Sequence, residues 1–88
     1  MKICGEYILR EVVGEYVLVP VGETALAFNG IISLNEVGAC IWKQLEKNST
    51  REEILAQILE EFEVSGEEAA QDLEEFLNML QEKKLLEP

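Results

Sequence analysis

The sequence contains no histidine and no glycine-rich run. A chain without an imidazole has no histidine general base, no histidine metal ligand and no Ser-His-Asp triad. Its six glycines are scattered, which argues against a phosphate-binding loop. Its two cysteines, Cys4 and Cys40, are too far apart in sequence to form a metal-binding motif. We therefore expect a protein that is not an enzyme and that needs neither a metal nor a cofactor.

Long apolar runs are also missing from the chain. No stretch approaches the roughly 20 apolar residues that a membrane-spanning helix needs, and residues 1–6 lack the apolar segment of a secretion signal. These absences predict a cytoplasmic protein that does not enter a membrane, and in that compartment both cysteines are expected to be reduced. A length of 88 residues predicts a single domain over residues 1–88.

Basic residues are scarce. The chain has 7 Lys and Arg against 18 Asp and Glu, for a net charge of −11. Most of this charge lies in residues 45–88, which hold 13 acidic and 4 basic side chains. Such a surface repels nucleic-acid phosphates and attracts basic partners. The simpler interpretation of the same charge is a solvated acidic surface without a binding role.

Three Ser/Thr-x-x-Glu motifs mark the expected starts of helices, because the hydroxyl accepts from the N3 amide while the glutamate reaches back to the cap. They are Ser33–Glu36, Thr50–Glu53 and Ser65–Glu68. Apolar residues follow each motif at steps of three and four. The predicted helices cover residues 34–47, 51–63 and 66–83.

Three residues of the first predicted helix are informative. Cys40 and Trp42 are expected to be core residues rather than a reactive thiol and a ligand anchor. Gly38 costs about 1 kcal/mol relative to alanine inside a helix. We therefore expect another backbone to approach closely at Gly38.

The residues before the first motif read as strands. Residues 7–13 and 16–20 are rich in β-branched and aromatic side chains and are separated by a turn at Gly14–Glu15. Thr24–Phe28 is a candidate third strand, and Asn29–Gly30 is a strong hairpin signal before Ile31–Ile32. The sequence predicts an α+β, winged-helix-like fold in which an antiparallel meander of three or four strands precedes three helices. The number of strands stays open.

A winged helix often binds DNA through its last helix, which carries basic residues to the major groove. The third predicted helix is instead strongly acidic. Its acidic residues are Glu67, Glu68, Asp72, Glu74, Glu75 and Glu82. We therefore predict no binding to nucleic acid.

The order and spacing of the core and capping residues resemble the PqqD family, which takes its name from pyrroloquinoline quinone biosynthesis. The resemblance covers about residues 6–87. The matching segments are Gly14–Pro20, Leu34–Trp42, Thr50–Ile54, Asp72–Leu77, Leu80 and Leu85–Leu86.

This resemblance implies a function. PqqD-like domains are non-catalytic recognition elements for ribosomally made, post-translationally modified peptides. They capture the leader segment of a precursor peptide and present it to a modifying enzyme, often a radical SAM protein. The leader adds as a strand to the last strand of the sheet and lies against the third helix.

On this basis a peptide-binding groove is expected beside the third predicted helix. Its residues are Asp72, Glu75, Phe76, Met79 and Lys83. Phe76 and Met79 are expected to accept apolar leader side chains, and Asp72 and Glu75 to pair with leader Lys or Arg.

The strand edge for that peptide has two candidates. The longer run, Thr24–Phe28, would present Leu26 and Phe28, whereas the family pattern favours Ile31 and Ile32, just before the first helix. An exposed edge also invites pairing between copies, so we expect a monomer or a weak homodimer. The alternative function is a winged-helix-like interaction or regulatory module, monomeric or dimeric, that has no part in peptide maturation.

Overall fold

The computed structural model describes residues 1–27 and 30–87 of the chain. The elements run in the order β1 (Lys2–Ile3), β2 (Tyr7–Val12), β3 (Glu15–Pro20), α1 (Glu23–Ala27), β4 (Ile32–Leu34), α2 (Glu36–Glu46), α3 (Arg51–Glu61), α4 (Gly66–Glu82) and β5 (Leu86–Glu87). A three-stranded antiparallel sheet of order β2-β3-β4 precedes the three long helices. The predicted α+β fold is therefore confirmed.

The sheet is built on a tight hairpin and ends at a short strand. The turn between β2 and β3 passes through Val13 and Gly14, both with positive φ, at 50° and 79°. This pair of left-handed residues matches the right-handed twist of the flanking strands. On its other side β3 pairs with β4, where Leu18 lies opposite Ile32. Strand β4 is therefore one edge of the sheet.

The strand predicted over Thr24–Phe28 is wrong in its described part, because Glu23–Ala27 forms the short helix α1. Gly22 has φ +60° just before this helix, and the backbone N–H of Glu6 donates to Thr24 Oγ1 at 2.8 Å. Helix α1 is therefore held to the residue before β2 by this hydrogen bond. Phe28, and Asn29 of the predicted Asn-Gly turn, lie outside the described residues.

Helices α3 and α4 begin where the motifs predict. Thr50 and Glu53 form a complete capping box, in which Thr50 Oγ1 accepts from the N–H of Glu53 at 3.2 Å and Glu53 Oε1 accepts from that of Thr50 at 2.8 Å. Ser65 Oγ accepts from the N–H of Glu68 at 3.1 Å. These side chains satisfy amides that have no partner inside the helix.

The predicted start of the first long helix is wrong. Its cap is Asn35, whose Oδ1 accepts from the N–H of Gly38 at 2.7 Å, rather than Ser33. Ser33 and Leu34 pair with Val17 and Tyr16 of β3. Because this pairing holds both residues in an extended conformation, α2 begins only at the next residue that is able to cap it.

The core lies between the sheet and the three long helices. Trp42 is 1% exposed, and its ring meets that of Tyr7 edge to face, with centroids 5.9 Å apart. Cys40 is buried as expected. The other core side chains come from every layer: Leu18, Ile32, Leu34, Ile41, Leu45, Ile54, Ile58, Ala69, Leu73, Leu77, Leu80, Leu85 and Leu86.

The two ends of the chain pair with each other. Strands β1 and β5 are antiparallel, with Ile3 opposite Leu86, and the N–H of Cys4 donates to the carbonyl of Leu85 at 2.7 Å. This pairing closes the core below α4. Within the described ranges, no helix combines the length and the apolar character that crossing a membrane requires.

Candidate functional site

An open groove of about 220 Å³ runs between α2 and α4. We call it the α2–α4 groove. Its lining residues are Asn35, Val37, Gly38, Ile41, Asp72, Glu75, Phe76 and Met79. The volume is below the roughly 300–1,000 Å³ of typical small-molecule pockets. The groove therefore suits one or two side chains of a polymer better than a whole small ligand.

The floor of the groove depends on Gly38. This buried residue lies in the first turn of α2, and a Cβ built on it would lie 3.0 Å from Cε1 of Phe76. The predicted close approach at Gly38 is therefore made by an aromatic ring and not by another backbone. Phe76 and Met79 are half-buried and pack on the core, so part of each remains open to the groove.

The rim of the groove is acidic. Asp72 is half-buried and Glu75 is exposed on α4, and Gln71 Nε2 donates to Glu75 Oε1 at 3.2 Å. Two carboxylates beside an apolar floor favour a guest that is apolar with a neighbouring cation. Exposed pairs of this kind contribute only about 0.2–1 kcal/mol each.

An edge strand of the described sheet adjoins the groove. Asn35, which lines it, directly follows Leu34, the last residue of β4. At the other end of β4, Ile31 is 59% exposed. The exposed Ile31 and the groove-lining Asn35 therefore flank the two ends of β4.

The structure brings together four of the predicted site residues, Asp72, Glu75, Phe76 and Met79, in one groove. The other predicted site residues that the structure describes do not line this groove. Lys83 caps the C-terminal end of α4, outside the groove lining.

The predicted edge residues differ in their surroundings. Ile32 belongs to the edge strand, but its side chain is only 7% exposed and packs in the core, so it offers backbone rather than a side-chain pocket. Leu26 is 89% exposed on α1 and not on a strand. Phe28 lies outside the described residues.

Sequence reasoning missed the wall that α2 contributes to the groove. Val37, Gly38 and Ile41 recur at helical spacing, and this spacing is equally typical of a plain core stripe. The glycine was the one available signal, because a helix interior tolerates it mainly where something packs closely.

A second cleft, also of about 220 Å³, lies on another face of α2. We call it the Cys40 cleft. Its lining residues are Tyr16, Glu36, Ala39, Cys40, Lys43, Gln44, Glu61 and Phe62. Cys40 Sγ donates to Glu61 Oε2 at 3.1 Å, and Lys43 Nζ lies 5.9 Å from the centroid of the Tyr16 ring.

The thiol in this cleft is held protonated. Burial, with smaller contributions from the hydrogen bond to Glu61 and from its charge, raises the pKa of Cys40 to about 12. The pKa of Glu61 is lowered by its hydrogen bonds from Gln57 and Cys40. A protonated thiol is a poor nucleophile and a poor metal ligand. Across residues 1–27 and 30–87, no cluster of three or more acidic or cysteine side chains is arranged to hold a metal ion.

Comparison with known proteins agrees with this architecture. The family model described as "Coenzyme PQQ synthesis protein D (PqqD)" matches residues 15–86. The solved structure of TbiB1 in complex with the TbiA(beta) leader peptide is similar, with a TM-score of 0.75 and 32% sequence identity over 99% of this chain and 95% of that chain. No curated protein sequence matches. The resemblance seen in the sequence is confirmed, and the chain belongs to the PqqD family.

Proposed function

We propose that this protein captures the leader segment of a ribosomally made precursor peptide and presents it to a modifying enzyme. The observation that carries the proposal is that β4, an edge strand of the described sheet, is followed directly by Asn35, which lines the α2–α4 groove. Membership of the PqqD family and the similarity to TbiB1, whose structure holds a leader peptide, support the same function.

The leader binds in an extended conformation and adds a strand to β4. Backbone hydrogen bonds from such an edge supply affinity, and adjacent pockets supply selectivity. Since β4 has three residues, Ile32–Leu34, the edge alone offers few hydrogen bonds. Side-chain contacts in the groove are therefore needed to hold the peptide in register.

The α2–α4 groove selects the leader by binding an apolar side chain of the peptide and a neighbouring positive charge. Phe76 and Met79 accept one or two apolar side chains, and the adaptable thioether of Met79 moulds to their shape. Asp72 and Glu75 pair with a neighbouring Lys or Arg. The exposed side chains of Leu26 and Ile31 contact the leader segment beyond the edge strand.

The protein acts by delivery rather than by chemistry. The chain has no histidine. The buried thiol of Cys40 stays protonated near neutral pH because its pKa is raised to about 12. The reaction itself belongs to a partner enzyme, such as a radical SAM protein. The net charge of −11 keeps the protein from binding nucleic acid.

The experiment begins with a displayed library of random linear peptides, because it does not require the natural leader to be known. Peptides that the protein enriches are synthesised and their affinity is measured by calorimetry, with a scrambled peptide as the control. Each tight binder is then remade with one backbone nitrogen methylated at a time.

Strand addition gives a distinctive result in this scan. Alternate residues of an added strand turn their N–H groups toward the sheet, so methylation should weaken binding at every second position across the segment that contacts β4. Loss at consecutive positions, or at none, would exclude addition to this edge. Failure to enrich any peptide above the scrambled background would contradict the proposed function itself.

A further inference from the structure

We infer that Gly38 and Phe76 act as a pair that sets the depth of the α2–α4 groove and thereby the size of the peptide side chain it accepts. This inference rests on the proposed function, and it concerns selectivity rather than binding as such. Neither residue acts through its charge, and together they connect the two helices that form the groove.

The geometry of the pair is tight. A Cβ on Gly38 would lie 3.0 Å from Cε1 and 3.3 Å from Cδ1 of Phe76, and 3.3 Å from Oδ1 of Asn35. Asn35 has little freedom to yield, because its Oδ1 accepts from the N–H of Gly38 at 2.7 Å and caps α2. The group that must move is therefore the ring of Phe76, which lines the groove.

A methyl group at Gly38 would act on the groove in two ways. It would occupy space at the floor, and it would displace the half-buried Phe76 ring by a few tenths of an ångström. The displaced ring takes further space from a groove that Met79 and Ile41 also line. A bulky guest side chain loses its place, whereas a small one does not.

The stability of Gly38→Ala should be close to that of the parent, so a change in peptide binding can be assigned to the groove rather than to unfolding. Alanine is favoured over glycine inside a helix, and this gain opposes the crowding of the ring. Gly66 provides the matched control. It is a helical glycine at the start of α4, and, apart from its chain neighbours and the nearby backbone of its own helix, no described atom lies within 4 Å of a Cβ built there.

The test selects from the random-peptide library in parallel with the parent, Gly38→Ala and Gly66→Ala. We expect the parent and Gly66→Ala to enrich peptides with a bulky apolar residue at one fixed position. Gly38→Ala should bind those peptides about ten-fold more weakly and should enrich a small residue, such as alanine or valine, at that position.

A second variant separates the groove from a general defect in folding. In Gly38→Ala/Phe76→Leu the flexible leucine relieves the contact with the new methyl group, and affinity for the bulky peptides should recover several-fold over Gly38→Ala. Such a recovery is the coupling expected of two residues in contact. Circular dichroism verifies that each variant is folded.

The outcomes distinguish the inference from the function on which it rests. If the parent enriches peptides and Gly38→Ala binds the same peptides equally well, the depth inference is wrong and the proposed function stands. A loss in Gly38→Ala that the double variant does not recover also contradicts the pair. If the parent enriches no peptide, both the function and the inference fail.

Discussion

The α2–α4 groove and the Cys40 cleft have the same volume, about 220 Å³, and share helix α2, but they differ in what their polar groups do. In the Cys40 cleft, Cys40 and Lys43 each have a side-chain partner that also lines the cleft. The thiol of Cys40 donates to Glu61, and Lys43 lies over the ring of Tyr16. In the α2–α4 groove, carboxylates stand at the rim of an apolar floor.

The surroundings of the two spaces differ as well. Asn35 of the α2–α4 groove directly follows the edge strand β4. The Cys40 cleft borders Tyr16 of β3, and β3 is the central strand, paired on both sides. A central strand has no free edge for a peptide to join. The two spaces therefore do not differ in volume, and we base the proposed peptide site on the apolar floor beside an edge strand of the described sheet.

The largest expected effect concerns Cys40 and tests how closed its cleft is. A pKa of about 12, against the ordinary 9.0, lowers the thiolate fraction near neutral pH about a thousand-fold. Iodoacetamide should therefore label Cys40 far more slowly in the folded protein than in the urea-unfolded chain, as followed by mass spectrometry. Equal rates in the two states would show that the cleft is open.

The same labelling experiment distinguishes the effect of burial on the pKa of Cys40 from the effect of its hydrogen bond to Glu61. Glu61→Gln removes the charged acceptor and should lower the pKa of Cys40 only in part, because burial is the larger cause of its elevation. Labelling should become faster by up to about ten-fold. Glu60→Gln, at an exposed neighbouring position on α3, is the control and should change nothing.

The second prediction compares how a substitution in the α2–α4 groove and one in the Cys40 cleft change the affinity for a peptide. Met79→Asp places a charge on the apolar floor of the α2–α4 groove and should weaken a selected peptide ten-fold or more, on the order of 1.4 kcal/mol. Lys43→Glu, in the Cys40 cleft, should leave the affinity unchanged. Calorimetry on folded variants measures both. If folded Met79→Asp binds as tightly as the parent, the peptide does not use this groove.

The third prediction is a loss of stability at alkaline pH that depends on Cys40. The folded-state pKa is raised, so the contribution is fully present below about pH 9 and is lost as the pH rises toward 12. The free energy of unfolding should fall in this range by on the order of 1 kcal/mol more in the parent than in Cys40→Ala. Urea titrations of the two proteins at several pH values provide the measurement, and parallel curves would contradict it.

The two spaces also show what the sequence was able to predict. Helices α3 and α4 begin at the predicted residues because Thr50 and Ser65 lie outside the sheet and are free to cap. The start of α2 was misplaced by a long-range effect. Ser33 is a good cap in isolation, but it pairs with Val17 of β3.

The short elements were beyond local reasoning for the same physical reason. Helix α1 has five residues and β1 and β5 have two each, too few to show a period. On α4 the sequence placed Asp72, Glu75, Phe76 and Met79 together, and the structure has them line one groove; their role in peptide binding stays a prediction. The opposing wall was missed because its spacing is also that of a core stripe.

The smallest expected effect concerns the two acidic side chains at the rim of the α2–α4 groove. Asp72→Asn and Glu75→Gln each remove one charge from the α2–α4 groove, and a basic residue in a selected peptide should lose about 0.2–1 kcal/mol per substitution. The loss should shrink as salt is added, because exposed charges are screened. Glu36→Gln makes the same kind of change in the Cys40 cleft and is the control. Calorimetry at low and high salt decides the matter: a loss that salt does not reduce would assign these carboxylates a packing role in place of a charge pair with the peptide.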